Sequence, residues 1–184
     1  MSSIFAAAYD LQLFCQSQGW QFCFIGGIAV QCWGNPRHTQ DADLTLLTGF
    51  GGEERYIRVL LQRYTARIED AELFALETRV LLLYGVNGVP LDISLGAMPF
   101  EERTILRASP YHIDAQQQLS VCSAEDLIIH KAFANRTQDW FDIEGIVARQ
   151  GRQLQWSLIW EELEPLVAMK EEPTILDRLR RIMH

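Results

Sequence analysis

Lysine is nearly missing from this chain: Lys131 and Lys170 are the only two, and arginine supplies the rest of the 16 basic residues. Against 24 acids this leaves a formal net charge of −8 and a pI near 5.0. That balance argues against a protein that coats nucleic acid through a broad basic surface, although local arginine clusters still bind phosphates. The scarcity also makes a lysine at a motif position more informative. Paired cysteine motifs are absent too. Cys15, Cys23, Cys32 and Cys122 form no CxxC and have no histidine at zinc spacing, so a zinc module is excluded. Three of them fall in apolar stretches, as suits reduced thiols used as small hydrophobes. No apolar run approaches the roughly 20 residues that span a bilayer. No basic stretch followed by a long apolar run opens the chain, so the expectation is a cytoplasmic protein without a signal peptide or a membrane partner. Repeats and low-complexity tracts are likewise lacking. What remains is ordinary for a soluble domain: 184 residues, 48% hydrophobic and 22% charged.

Hydrophobic spacing predicts a helix over 3–18, stopped by Gly19, then a buried strand over Trp20–Ile25. Gly26-Gly27 breaks that strand, and a short helix over Ile28–Trp33 ends near Gly34. Residues 35–40 read as a loop, and Asp41–Leu47 alternates like a half-buried strand. Helices are expected over 53–64 and 70–77. Val80–Tyr84 and Val89–Ile93 bracket the turn-like Gly85-Val86-Asn87-Gly88 as a hairpin. A helix near 99–107 and a short strand around Tyr111–Ile113 follow. From Ser123 the character changes: Ser123 and Asp126 have the spacing of a capping box, and helices are expected at about 124–134, 138–149, 154–168 and 173–183. The expected fold class is therefore α+β, with an α/β core over 1–122 and a helical part over 123–184.

The densest chemical signal is Phe24-Ile25-Gly26-Gly27-Ile28-Ala29, then Gly34, then Arg37-His38-Thr39-Gln40-Asp41-Ala42-Asp43-Leu44. A strand that ends in two glycines and opens a helix leaves backbone N–H groups facing outward, and missing Cβ atoms let a phosphate approach. Asp41 and Asp43 stand two apart on the predicted strand, so both carboxylates project from one face. Like charges at that spacing repel, and a divalent cation resolves the conflict; hard Mg²⁺ prefers carboxylate and phosphate oxygens. Asp92, inside Val89-Pro90-Leu91-Asp92-Ile93, lies on a second probable strand that would sit beside the first. Three such carboxylates hold two metals, one to activate an attacking oxygen and one to hold a triphosphate. Taken alone, Asp41 and Asp43 read as a solvated strand edge; the upstream Gly-Gly and Arg-x-Thr tip the balance to a metal pair. Lys131 alone reads as a side chain snorkelling from an apolar helix, and Asp139 and Asp142, one turn apart, as ion-pair partners of Arg136 or Arg37.

The stretch 24–44 resembles the signature of the DNA polymerase β-type nucleotidyltransferase superfamily, a glycine pair followed by Asp-x-Asp. With Arg-x-Thr ahead of Asp-x-Asp it is similar to the AbiEii-type toxin branch, close to the MNT-like proteins. Ser123-Ala124-Glu125-Asp126-Leu127-Ile128-Ile129-His130-Lys131-Ala132 and Arg136-Thr137-Gln138-Asp139-Trp140-Phe141-Asp142-Ile143 resemble that branch as well. The resemblance implies a mixed-sheet nucleotidyltransferase core whose helical part closes a nucleotide cleft. Gly26 and Gly27 would cradle the triphosphate, and Asp41, Asp43 and Asp92 would be the catalytic, Mg²⁺-binding acids. Asp92 would also serve as base toward an acceptor hydroxyl, and Lys131 would reach the β- and γ-phosphates. Arg37 and Thr39, with Arg136, Asp139 and Asp142, would frame the nucleotide or order the cleft. Many relatives carry serine after the first glycine; here Gly27 brings no hydroxyl, leaving only backbone contact.

The implied activity is Mg²⁺-dependent transfer of an NMP group from an NTP, ATP among the candidates, within a toxin–antitoxin pair. The acceptor would be a tRNA 3′ end or a side chain of a cognate toxin or antitoxin protein. Two other readings stand beside it. One is a small-molecule, antibiotic-type nucleotidyltransferase. The other is a catalytically silent nucleotide-binding module serving as antitoxin or sensor, which the full set of acids and Lys131 disfavours.

Overall fold

The computed structural model describes residues 3–183, which fall into two compact units. The first holds the chain up to Ile28 and His38–Cys122; the second holds Ala29–Arg37 and the chain from Ser123 onward.

In the first unit, helix α1 (Ser3–Ser17) leads into β1 (Phe22–Phe24), and helix α2 (Gly26–Trp33), whose residues from Ala29 onward belong to the second unit, starts directly at the glycine pair, two residues earlier than expected. Next come β2 (Ala42–Leu47), α3 (Glu53–Arg63), β3 (Thr65–Ala66), α4 (Ala71–Thr78), β4 (Val80–Tyr84) and β5 (Pro90–Gly96). Helix α5 (Pro99–Leu106), β6 (Ser109–His112) and β7 (Gln118–Val121) complete it. The strands form one seven-stranded sheet in the order β3-β4-β5-β2-β1-β7-β6. The pairs β2–β5 and β1–β7 are parallel and the other neighbours antiparallel, so the sheet is mixed as expected.

Strand β2 corrects the alternation reading. It lies between β1 and β5, and Ala42, Leu44, Thr45 and Leu46 are all buried, because α1 and α5 pack against it. Asp41 precedes the strand instead of opening it. The hairpin between β4 and β5 turns on Gly88, whose φ of +77° favours glycine, with the Gly85 N–H donating to the Val89 carbonyl at 2.8 Å. Two strands had no sequence expectation: β3, only two residues long, and β7, whose Gln-Leu-Ser-Val is extended because β1 and β6 flank it. All four cysteines are buried and none is in a disulfide, and burial pushes the Cys15 and Cys32 thiols up to about 12, so these two are held as neutral thiols.

In the second unit, α6 (Ala124–Ala134), α7 (Thr137–Gln150), α8 (Trp156–Lys170) and α9 (Thr174–Met183) pack around α6. The Ser123 Oγ accepts from the Asp126 N–H at 3.0 Å and donates to the Asp126 carboxylate at 2.7 Å, so the expected cap forms, with the hydroxyl as partner in both bonds. Ala29–Arg37 is tied to α7: Arg149 donates to the Gly34 carbonyl at 2.7 Å and Gln150 to the Trp33 carbonyl at 2.7 Å. Among the described residues no helix is long and apolar enough to cross a membrane.

Candidate active site

The first unit gathers three acids by strand register. Parallel pairing of β2 with β5 sets Asp43 opposite Asp92, and Asp41 sits one residue ahead of β2. One carboxylate oxygen from each of Asp41, Asp43 and Asp92 lies within 4.8 Å of the other two. Among the described residues no other group of three or more acids, histidines or cysteines converges as closely.

The glycine pair is shaped around this cluster. Gly26 has φ +56°, and a Cβ there would stand 1.9 Å from Asp43 Oδ2. A Cβ on Gly27 would stand 2.1 Å from Thr39 Oγ1, and the Gly27 N–H donates to Asp43 Oδ2 at 3.2 Å. Thr39 in turn donates to Asp41 Oδ1 at 3.1 Å. Glycine at both positions is therefore a requirement of close packing: the turn admits the Asp43 carboxylate and the Thr39 hydroxyl against bare backbone.

Arg67 is the residue that the sequence reading missed. It follows β3, and its N–H donates to the Leu82 carbonyl at 3.0 Å, while Leu82 is the register partner of Asp92. That backbone contact brings the Arg67 guanidinium onto Asp92 Oδ1 as a hydrogen-bonded ion pair. Burial pushes the Asp92 carboxyl above the usual range; the Arg67 charge opposes this and the nearby Asp41 charge adds to it. Nothing in Thr65-Ala66-Arg67 marks the arginine; only the β3–β4 pairing brings it to Asp92.

The donor set is all oxygen and all carboxylate, the hard chemistry that Mg²⁺ takes, and the three oxygens converge as a shared ligand requires. These residues fit a divalent cation.

The second unit brings together five more of the candidate residues. Arg37 forks onto Asp142 with bonds of 2.7 and 2.9 Å. Lys131, only 5% exposed, reaches Asp142 at 2.6 Å and Asp139 at 3.2 Å. Arg136 donates to Asp139 through its guanidinium at 2.7 Å and through its backbone N–H at 3.2 Å, and Gln138 donates to Asp142 at 3.2 Å. Burial opposes ionisation of both acids, but hydrogen bonds from Arg37 and Lys131 hold Asp142 at about 2, and Arg136 with Lys131 holds Asp139 below the usual range. The ion pairs anticipated for Asp139 and Asp142 are thus present. Lys131 sits at their centre, bonded to both acids.

A family model, nucleotidyl transferase AbiEii toxin of type IV toxin–antitoxin systems, matches residues 12–183. No curated protein matches the sequence. Among solved structures, an antigenic nucleotidyltransferase-like protein from Paracoccidioides brasiliensis is similar at 16% identity and a TM-score of 0.54, covering 95% of this chain and 91% of its own. The lincosamide antibiotic adenylyltransferase LnuA, bound to lincomycin, is similar at 12% identity and a TM-score of 0.52, covering 77% of this chain and 94% of its own. ANT(2″)-Ia in complex with adenylyl-2″-tobramycin is similar at 13% identity and a TM-score of 0.53, covering 90% of this chain and 99% of its own. At these identities the likeness is one of fold, and it agrees with the mixed sheet expected from the motif. Because the family model spans nearly the whole chain, the protein belongs to the AbiEii nucleotidyltransferase toxin family.

Proposed function

We propose that this nucleotidyltransferase moves an NMP group from a Mg²⁺-bound NTP onto a macromolecular acceptor, a tRNA 3′ end or a protein side chain, within a toxin–antitoxin pair. The observation that carries the reading is the convergence of Asp41, Asp43 and Asp92 beside Gly26, where no side chain fits. Asp41, Asp43 and Asp92 would hold Mg²⁺, which neutralises triphosphate charge and polarises the reacting oxygens when bound. Asp92 would also accept the proton of the acceptor hydroxyl. Gly26 and Gly27 let Asp43 and Thr39 close onto the turn, and Thr39 fixes the Asp41 carboxylate. In the second unit Lys131, Arg37 and Arg136 gather on Asp139 and Asp142, and this grouping of cations supports a role in ordering phosphates. Phosphoryl transfer requires mainly positioning and charge neutralisation, and these groups supply both.

The test is label transfer from each of the four α-³²P NTPs with Mg²⁺, offering total tRNA, host lysate, and the protein itself as acceptors. Label should enter RNA or protein with wild type and vanish with EDTA or with Asp41→Ala/Asp43→Ala. Label that persists in the double variant would overturn the metal-site reading. Label entering none of these acceptors, despite nucleotide binding, would overturn the macromolecular acceptor.

A further inference from the structure

Three aspartates converging within 4.8 Å bring three negative charges together, and Arg67 lies directly on one of them. Its position is set by backbone: Thr65 and Ala66 pair with Tyr84 and Leu83, and the Arg67 N–H bonds to the Leu82 carbonyl. The guanidinium is hydrogen-bonded to Asp92 Oδ1, and both side chains are about one-quarter exposed, 26% for Arg67 and 29% for Asp92.

We infer that Arg67 is a counter-ion built into the acid triad: it occupies one oxygen of Asp92 and weakens cation binding until a nucleotide arrives. This rests on the reading that the triad holds a divalent cation. With Arg67 ionised, three carboxylates and one guanidinium carry a net −2, which a single divalent cation neutralises. A second divalent cation needs further negative charge, and a triphosphate brings it. Arg67 thereby disfavours filling the site with metal alone and favours metal that comes with NTP. Two like charges separated by one carboxylate repel strongly at low dielectric; solvent screening of these part-exposed groups reduces the effect on affinity to about tenfold.

The experiment is a Mn²⁺ titration of the full chain without nucleotide, with free Mn²⁺ read by electron paramagnetic resonance. Wild type is compared with Arg67→Met, Arg67→Gln, Arg67→Lys and Asp41→Ala/Asp43→Ala, each checked for folding by circular dichroism. Both neutral variants should bind Mn²⁺ about tenfold more tightly than wild type, whereas Arg67→Lys, which keeps the charge, should stay near wild type. A non-hydrolysable NTP should narrow the gap. Loss of a merely structural contact would not raise affinity. Equal or weaker binding by the folded neutral variants, including no measurable binding by any protein, overturns the inference. Unchanged Mn²⁺ binding by Asp41→Ala/Asp43→Ala would instead remove the metal site itself.

Discussion

Asp142→Asn tests the ion-pair cluster of the second unit. The substitution keeps the shape of the side chain but removes the charge that faces both Arg37 and Lys131, and it turns an amide NH₂ toward one of those cations. Lys131 is left with Asp139 alone in a buried setting, at a cost of about 2–4 kcal/mol at pH 7. The pH dependence is more diagnostic than the size of the loss. In the folded protein Asp142 lies at about 2, against an ordinary 3.8. That depression contributes roughly 2 kcal/mol, and less after screening, because Arg37 is 35% exposed. Since the folded value is the lower one, the contribution is complete above 3.8 and is lost as pH falls through about 2. Urea denaturation at pH 7, 5, 4 and 3 measures it. Trp33, Trp140, Trp156 and Trp160 all belong to the second unit, so tryptophan fluorescence reports mainly there, and circular dichroism checks that the transitions coincide. The gap between wild type and Asp142→Asn should be widest at pH 7 and narrow by about 1 kcal/mol by pH 3. A gap that stays constant across this range would refute the claim that Asp142 is held ionised by its partners.

Two further substitutions probe local geometry. Gly26→Ala sets a Cβ 1.9 Å from Asp43 Oδ2 at φ +56°, so it should displace Asp43, weaken Mn²⁺ binding and cost about 1–3 kcal/mol; unchanged Mn²⁺ affinity would refute the packing argument. Ser123→Ala removes the cap of α6 and should cost about 1 kcal/mol in urea denaturation, whereas Ser123→Asp should retain most of the stability.

Much of this protein is legible in one dimension because the physics is local. Helical spacing from Ser123 onward located α6 through α9, and Gly85-Val86-Asn87-Gly88 between two apolar runs marked the hairpin. Gly26-Gly27 ahead of Asp41 and Asp43 pointed to a cation- and phosphate-handling turn because those residue types at that spacing have few other uses. The sequence signals fell short where long-range pairing decides. Thr65–Ala66 is too short to carry a periodic pattern, and Gln118–Val121 follows Gln116-Gln117 and is extended only because its neighbours pair with it. Pro165 lies within α8 at an exposed position.

By itself, then, the sequence determined the α+β class, the candidate acids and the family motif, since each depends on residues near one another in the chain. The tertiary structure alone decided three further things. Parallel register put Asp92 opposite Asp43, across 49 positions of chain that no local pattern bridges. The β3–β4 pairing delivered Arg67 to Asp92, an arginine that composition leaves indistinguishable from the others. Packing against α7 drew Ala29–Arg37 into the second unit, so that Arg37 meets Asp142 and Lys131, because buried charges are retained only where opposite charge and hydrogen bonds surround them.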